Sequence, residues 1–349
     1  MLEFDTVAND VMDDVAAKIL VIGVGGGGGN AVERMIACGL EGADFMLANT
    51  DKQVLFRGQA PRKLLLGENV TGGKGAGGKA EVGRQAAEES VEELRNALTG
   101  YDMVFITAGM GGGTGTGAAP IVAKLAREQG ILTVGIVTKP FFFEGPRRMK
   151  QAKEGIEALS EQVDSLIVIA NDRLLEICDE KTSMLESFSM ADDILRQGVQ
   201  GISDMIYRPG IINLDFADVR SVMSNHGFAH MGIGRASGEG KAAKAAEIAI
   251  SSPLLDTTVA GARELLVNVC GNRNLGMRDI QTVMSSIYAL VDEDANVVFG
   301  SSIDDGLNDE IIVTVIATDF PADRPIRPYA PAKPQEKEPE PVKPPSSPP

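Results

Sequence analysis

The chain has 349 residues, 44% hydrophobic and 23% charged, enough for two ordinary domains that each bury a core. A formal net charge of −16 excludes a nucleic-acid surface built from clustered Lys and Arg. The acidic start MLEFDTVANDVMDDVAAK does not look like a secretory signal, and no stretch reaches the roughly 20 apolar residues of a membrane span. Cys38, Cys178 and Cys270 are too widely spaced for a disulfide framework or a metal-binding pair, so they read as reduced thiols of a cytoplasmic protein without direct membrane insertion.

In chain order, a flexible N-terminus over 1–17 gives way to KILVIGV at 18–24, an apolar β-branched run that passes into glycines and then a helical pattern from near Asn30. Similar runs recur at ADFMLA around 44–48, DMVFIT at 102–107, ILTVGIV at 131–137 and SLIVIA at 165–170. Apolar strands alternating with helices predict an α/β domain over 18–184 with a mainly parallel sheet covered on both faces. A long helix over 185–210 follows, with Phe188, Leu195, Val199, Ile202 and Ile206 at helical spacing and Pro209 and Gly210 as its stop. Residues 211–320 then predict a second, smaller α/β domain: helices near 215–225 and 239–250, an apolar run near 228–233, and strands at LLVNVC (265–270), NVVFGS (296–301) and EIIVTVIAT (310–318). Eleven of the 17 prolines fall in 321–349, which predicts a disordered tail.

Three glycine-rich segments follow predicted strands: GVGGGGGN at 23–30, TGGKGAGG at 71–78 and GMGGGTGTG at 109–117. Glycine lets backbone N–H groups converge on a ligand, and a following helix presents its positive end, so together the loops describe a phosphate cradle. Each loop alone is equally well a tight βα turn. Gly23, Gly25 and Gly28 satisfy GxGxxG, with Asp44 or Asp51 about 20 residues on, which raises a nicotinamide dinucleotide as a rival. That rival leaves two loops unexplained, whereas a nucleoside triphosphate employs all three. GxxxxGK[ST] is absent, so phosphate charge falls to backbone N–H groups, the Thr114 and Thr116 hydroxyls and Mg²⁺.

GGGTGTG at 111–117 resembles the signature loop of the tubulin superfamily, and the chain closely resembles its FtsZ branch, the bacterial cell-division GTPases. NTD at 49–51, TKPFFFEGPRR at 138–148, NDRLL at 171–175, NLDFADVR at 213–220 and ASGEG at 236–240 fall in family order, over roughly residues 15–320. The resemblance implies GTP and GDP as ligands, with Mg²⁺ held mainly by nucleotide and water. Gly26, Gly27, Gly28, Gly29 and Asn30, with Gly113, Thr114 and Gly115, would wrap the phosphates and sugar, and Ala76 and Gly77 would close on the terminal phosphate. Glu144 and Arg148 would take the ribose and phosphate side. Asn30, Asn171 and an acidic residue, Asp192 or its neighbour Asp193, would read the guanine edge, and Phe188 would stack on the base. A carboxylate facing the guanine N1–H and amino group prefers GTP over ATP because adenine lacks that pair of donors.

Asp215 and Asp218 stand three apart at the opening of a helix, where helix capping alone would account for them. The resemblance adds that this loop enters the next subunit's nucleotide site, where Asn213, Asp215 and Asp218 act on the attacking water. It implies a head-to-tail homopolymer at the mid-cell division site, with division regulators and membrane tethers as partners, although the usual C-terminal docking peptide is not seen in this sequence, which stops in EPVKPPSSPP, so that either the sequence is truncated or the tethering differs. His226 and His230 flank Gly227 without neighbouring Cys or acidic residues, so no metal site is expected there. Phe141, Phe142 and Phe143 are expected to pack over the ribose side, and Lys241 and Lys244 to lie on a solvated face.

Overall fold

The computed structural model describes residues 17–177, 182–208, 210–251, 259, 261–292 and 294–320. Residues 1–16, Cys178, Pro209 and the Pro-rich tail, on which several expectations fall, lie outside them. The first half runs β1 (Ile19–Val24), α1 (Gly25–Ala37), β2 (Asp44–Asn49), α2 (Lys52–Arg57), β3 (Arg62–Leu65), α3 (Glu68–Thr71), α4 (Ala80–Glu89), α5 (Val91–Leu98), β4 (Met103–Gly109), α6 (Thr114–Glu128), β5 (Leu132–Lys139), α7 (Pro146–Ser160), β6 (Ser165–Ala170) and α8 (Asn171–Ile177). Then follow α9 (Met184–Tyr207), α10 (Phe216–Met223), β7 (Gly227–Ser237), α11 (Lys241–Ile250), β8 (Glu264–Gly271), α12 (Met277–Tyr288), β9 (Asn296–Ile303) and β10 (Glu310–Thr318).

Every residue of β1 is buried, because it pairs in parallel with β2 on one side and β4 on the other while helices cover both faces. The strand order is β3-β2-β1-β4-β5-β6-β7-β10-β8-β9. Strands β3 to β7 pair in parallel; β10 is antiparallel to β7 and β8, and β8 is parallel to β9. One face of the parallel strands packs with α6 through Val104, Ile106, Val122 and Leu166. The other packs with α1 and α9 through Val32, Met35, Leu195, Val199 and Ile202, and the same core reaches Leu266 of β8 and Ile316 of β10. The spacing of Leu195, Val199 and Ile202 sets them on one stripe of α9, so a single helix seals both halves. Its start is defined by Ser183 and Glu186, which cap each other's backbone N–H groups.

Three expectations are corrected. The helix after β1 starts at Gly25 rather than near Asn30, because the glycines themselves form its first turns where it crosses β4. Lys241 is not on a solvated face: its side chain is 19% exposed and its ammonium lies 2.7 Å from Asp309. Only Phe141 of the three phenylalanines is buried, while Phe142 and Phe143 are 81% and 52% exposed.

Candidate functional site

In an open parallel sheet the carboxyl ends of the strands form a crevice where ligands bind, and here β1, β2, β4, β5 and β6 all deliver motif residues to that end. The first turns of α1 and α6 converge: a Cβ added at Gly25 would lie 2.7 Å from Gly115 N. Neither helix has an acidic residue in its first turn, so two positive helix ends face the same space. In α1, Gly28 and Gly29 are buried against β4 and Leu47, whereas Gly26, Gly27 and Asn30 are exposed.

The signature loop is shaped by its own side chains. Thr116 Oγ1 accepts from the Gly111 N–H at 2.8 Å, and the Thr114 hydroxyl bonds the Thr50 hydroxyl at 2.7 Å. Thr116, expected at the phosphates, thus also holds the loop's shape, through one of its two acceptor lone pairs. The second loop folds back on β2, with Gly75 N–H donating to Thr50 O at 3.0 Å and Lys52 N–H to Gly73 O at 3.0 Å. Ala76 is buried beneath Gly113, where an added Cβ would lie 2.8 Å from the Ala76 methyl, and Gly77 faces open space in the left-handed region.

On the next side, Glu144 accepts from Phe141 N–H at 2.8 Å and pairs with Arg148 at 2.9 Å. Phe188 of α9 meets Phe141 edge to face at 5.2 Å. Asn171 opens α8 directly after β6, and its Oδ1 is buried with no hydrogen-bond partner among the described residues. A buried acceptor left in that state is costly unless a ligand donor reaches it.

The two candidate acids differ in their surroundings. Asp193 is committed: it accepts from Arg196 at 2.8 Å and Gln197 at 2.7 Å, and Arg34 of α1 lies 3.5 Å away. Burial acts to raise its carboxyl, yet the Arg196 and Gln197 hydrogen bonds and the charges of Arg196 and Arg34 hold it below its ordinary range. Asp192 makes no side-chain hydrogen bond among the described residues, and burial pushes its carboxyl up to about 6 against the opposing charge of Arg34. Asn30 stands one turn before Arg34 and so shares its face of α1 toward α9.

Asn213, Asp215 and Asp218 are not in this crevice. Asp218 N–H donates to Asp215 Oδ1 at 2.8 Å and Asp215 N–H to Asp218 Oδ2 at 3.1 Å, a reciprocal cap on α10. Asn213 Oδ1 accepts from Gly210 N–H at 2.7 Å. Two residues along, Arg220 donates to Gly130 O at 2.8 Å, just before β5 begins, and Ser165 Oγ at the start of β6 donates to Met223 O at 2.6 Å. The aspartates therefore sit at the amino ends of the strands, the phosphate loops at the carboxyl ends. Between those two ends runs the length of β5, eight residues or about 26 Å of extended chain.

The family model described as Tubulin/FtsZ family, GTPase domain, matches residues 18–179, and that of the FtsZ family, C-terminal domain, matches residues 227–321. An FtsZ dimer from M. jannaschii is 41% identical over 91% of this chain and 93% of that one, with a TM-score of 0.85. The chain belongs to the FtsZ family. It is accordingly a tubulin-like GTPase that binds GTP and GDP. A GTPγS-bound protofilament of CetZ2 from Haloferax volcanii, 20% identical over 86% of this chain and 92% of that one with a TM-score of 0.75, shares the fold. One side chain of this FtsZ-family site escapes the motifs: Gln151, whose amide spans the loops. Thr50, whose hydroxyl ties β2 to α6, lies inside the NTD motif, although the motif gave it no role of its own; a lone Gln in a polar helix carries no signal.

Proposed function

We propose that this chain is a polymerising GTPase that forms head-to-tail filaments of the division ring and hydrolyses GTP at a site completed by the next subunit. The observation that carries this reading is that the two halves of the set lie at opposite ends of the sheet, with the eight residues of β5, about 26 Å of extended chain, between them, which one chain cannot close but a translated second copy can. The contact is heterologous and extends into a filament. Exposed apolar side chains flank both halves: Phe142, Phe143 and Leu185 beside the crevice, and Ile211 and Ile212 just before Asn213. In this reading residues 18–184 bind nucleotide, 185–210 connect, and 211–320 carry the activating loop into the neighbour.

Exposed Gly26 and Gly27 and the backbone of Gly28, Gly29 and Gly113–Gly115 hold the phosphates, with Thr114 at the mouth of α6 and Ala76 and Gly77 over the terminal phosphate. Glu144 and Arg148 border the ribose. Asn30, Asn171 Oδ1 and Asp192 read guanine, with Phe188 on the base; Asp192 is preferred to Asp193, whose oxygens already accept from Arg196 and Gln197. Among the described residues no group of three or more His, Cys, Asp or Glu is gathered for a metal. In this reading Mg²⁺ is carried by nucleotide oxygens and water, where it would neutralise phosphate charge. The reciprocal cap fixes one oxygen of Asp215 and one of Asp218 and leaves the other of each unengaged, a preorganised pair for orienting and polarising the attacking water. A cytoplasmic site at mid-cell, with regulators and membrane tethers as partners, accords with family membership; no helix among the described residues is long and apolar enough to cross a membrane.

The test is phosphate release followed together with light scattering across protein concentrations. Turnover per chain rises as scattering appears; turnover independent of concentration sinks the shared site. A second expectation concerns pH. The Asp192 carboxyl is raised by burial, so the nucleotide-free fold loses stability from this group as pH rises from its ordinary value toward about 6. Guanine donors favour the carboxylate, so binding expels its proton below about 6, and GTP affinity falls toward tenfold per pH unit there. Asp192→Asn removes that component while leaving phosphate titration in place. Calorimetric titrations of both chains between pH 5 and 8, roughly spanning that carboxyl, isolate the difference, and parallel profiles overturn the assignment.

A further inference from the structure

We propose that Gln151 is a positioning residue that locks the second glycine loop onto the signature loop and thereby selects GTP over GDP; this rests on the phosphate assignments proposed above. Gln151 lies on α7 one turn before Gly155, on the same face. Gly155 lets that face press against α6, since a Cβ there would collide with the Thr116 methyl. From this position Gln151 Nε2 shares its two hydrogens among Gly112 O at 2.8 Å, Gly111 O at 2.9 Å and Gly78 O at 3.2 Å, one of them bifurcated. Three carbonyl oxygens around one atom leave no choice of amide orientation: only the NH₂ end can face them.

Two of those carbonyls belong to the 109–117 loop and one to the 71–78 loop, and no other side chain among the described residues bridges the two by hydrogen bonds. In a planar trans peptide the carbonyl of one residue and the N–H of the next point in opposite directions. Drawing the Gly111 and Gly112 carbonyls toward α7 therefore turns the Gly112 and Gly113 N–H groups away from it, and neither has a hydrogen-bond partner among the described residues. Gln151 thus supplies two aimed donors in one loop and anchors the loop that bears Ala76 and Gly77. The second loop meets only the terminal phosphate, which GDP lacks, so its anchor acts on GTP specifically.

The experiment compares the full chain with Gln151→Glu and Gln151→Met, measuring affinity for GTPγS and for GDP by calorimetry, with the thermal midpoint in parallel. Glutamate keeps the shape but places oxygens against three carbonyls; methionine keeps the length without a donor. In both, GTPγS affinity is expected to fall about tenfold, more for Gln151→Glu, and GDP affinity to fall less, because GDP shares the aimed N–H donors but not the second loop's contact with the terminal phosphate. Equal losses for both nucleotides, or no loss, overturn the proposal while leaving the GTPase reading intact. A parent chain that binds neither nucleotide overturns both. Failure of both variants to fold also overturns the proposal, since it would make Gln151 a residue of stability.

Discussion

Asp218→Ala is expected to lower GTP turnover at least a hundredfold while leaving GTP affinity unchanged, because Asp218 sits toward the opposite end of the sheet from its own chain's phosphate loops, with the length of β5 between them. Some stability is lost as well: Asp218 accepts from the Asp215 N–H, and removing that cap costs about 1 kcal/mol. Asp218→Asn separates the two effects, since its amide oxygen can still accept from Asp215 while the charge is gone. Turnover is expected to fall as far in Asp218→Asn with the fold unweakened. A mixing experiment then decides where the residue acts. Chains carrying Asp218→Ala keep an intact nucleotide crevice, so adding chains that cannot bind GTP but retain Asp218 restores phosphate release. Absence of recovery in the mixture places the water-activating group within one chain and overturns the shared site.

Gly26→Ala and Gly28→Ala are expected to have opposite effects although they stand two residues apart in the same glycine run. A Cβ at Gly28 would collide with the Thr107 carbonyl of β4, where α1 and the strand are both buried, so the helix must lift from the sheet. The expected loss is about 3 kcal/mol, read as a lower denaturant midpoint. At Gly26 no heavy atom lies within 4 Å of an added Cβ, and the backbone there is not left-handed. Alanine is the better helix former, so stability is unchanged or up to about 1 kcal/mol higher. GTP affinity, by contrast, falls at least tenfold in Gly26→Ala, because the methyl enters the space assigned to phosphate. Equal stability losses at both positions would mean that the run serves packing alone.

This contrast marks where reading residues in order ceases to be enough. The runs ILVIGV, MVFITA and LTVGIV announce central parallel strands because a strand buried on both faces has to be apolar at every position, and that is a local property. The stripe Leu195, Val199, Ile202 announces α9 for the same reason. β3 does not announce itself: RKLL is four residues long and only partly buried at the sheet edge. Nor could a run of glycines reveal that Gly28 packs on Thr107 while Gly26 faces open space.

The ligand class was legible in the sequence, because three glycine loops and the signature GGGTGTG are written in short segments. What distinguishes the two neighbouring acids was decided by Arg34, Arg196 and Gln197, which engage Asp193, while Asp192 makes no side-chain hydrogen bond among the described residues. The tethering of the loops by Gln151 depends on α7 lying against α6. The largest decision belongs to the sheet: it places Asp215 and Asp218 at the amino ends of the strands and the phosphate loops at the carboxyl ends. Ion pairs, carbonyl clusters and the length of a strand between two motifs are relations across the fold, set by how the elements pack and invisible in any one of them.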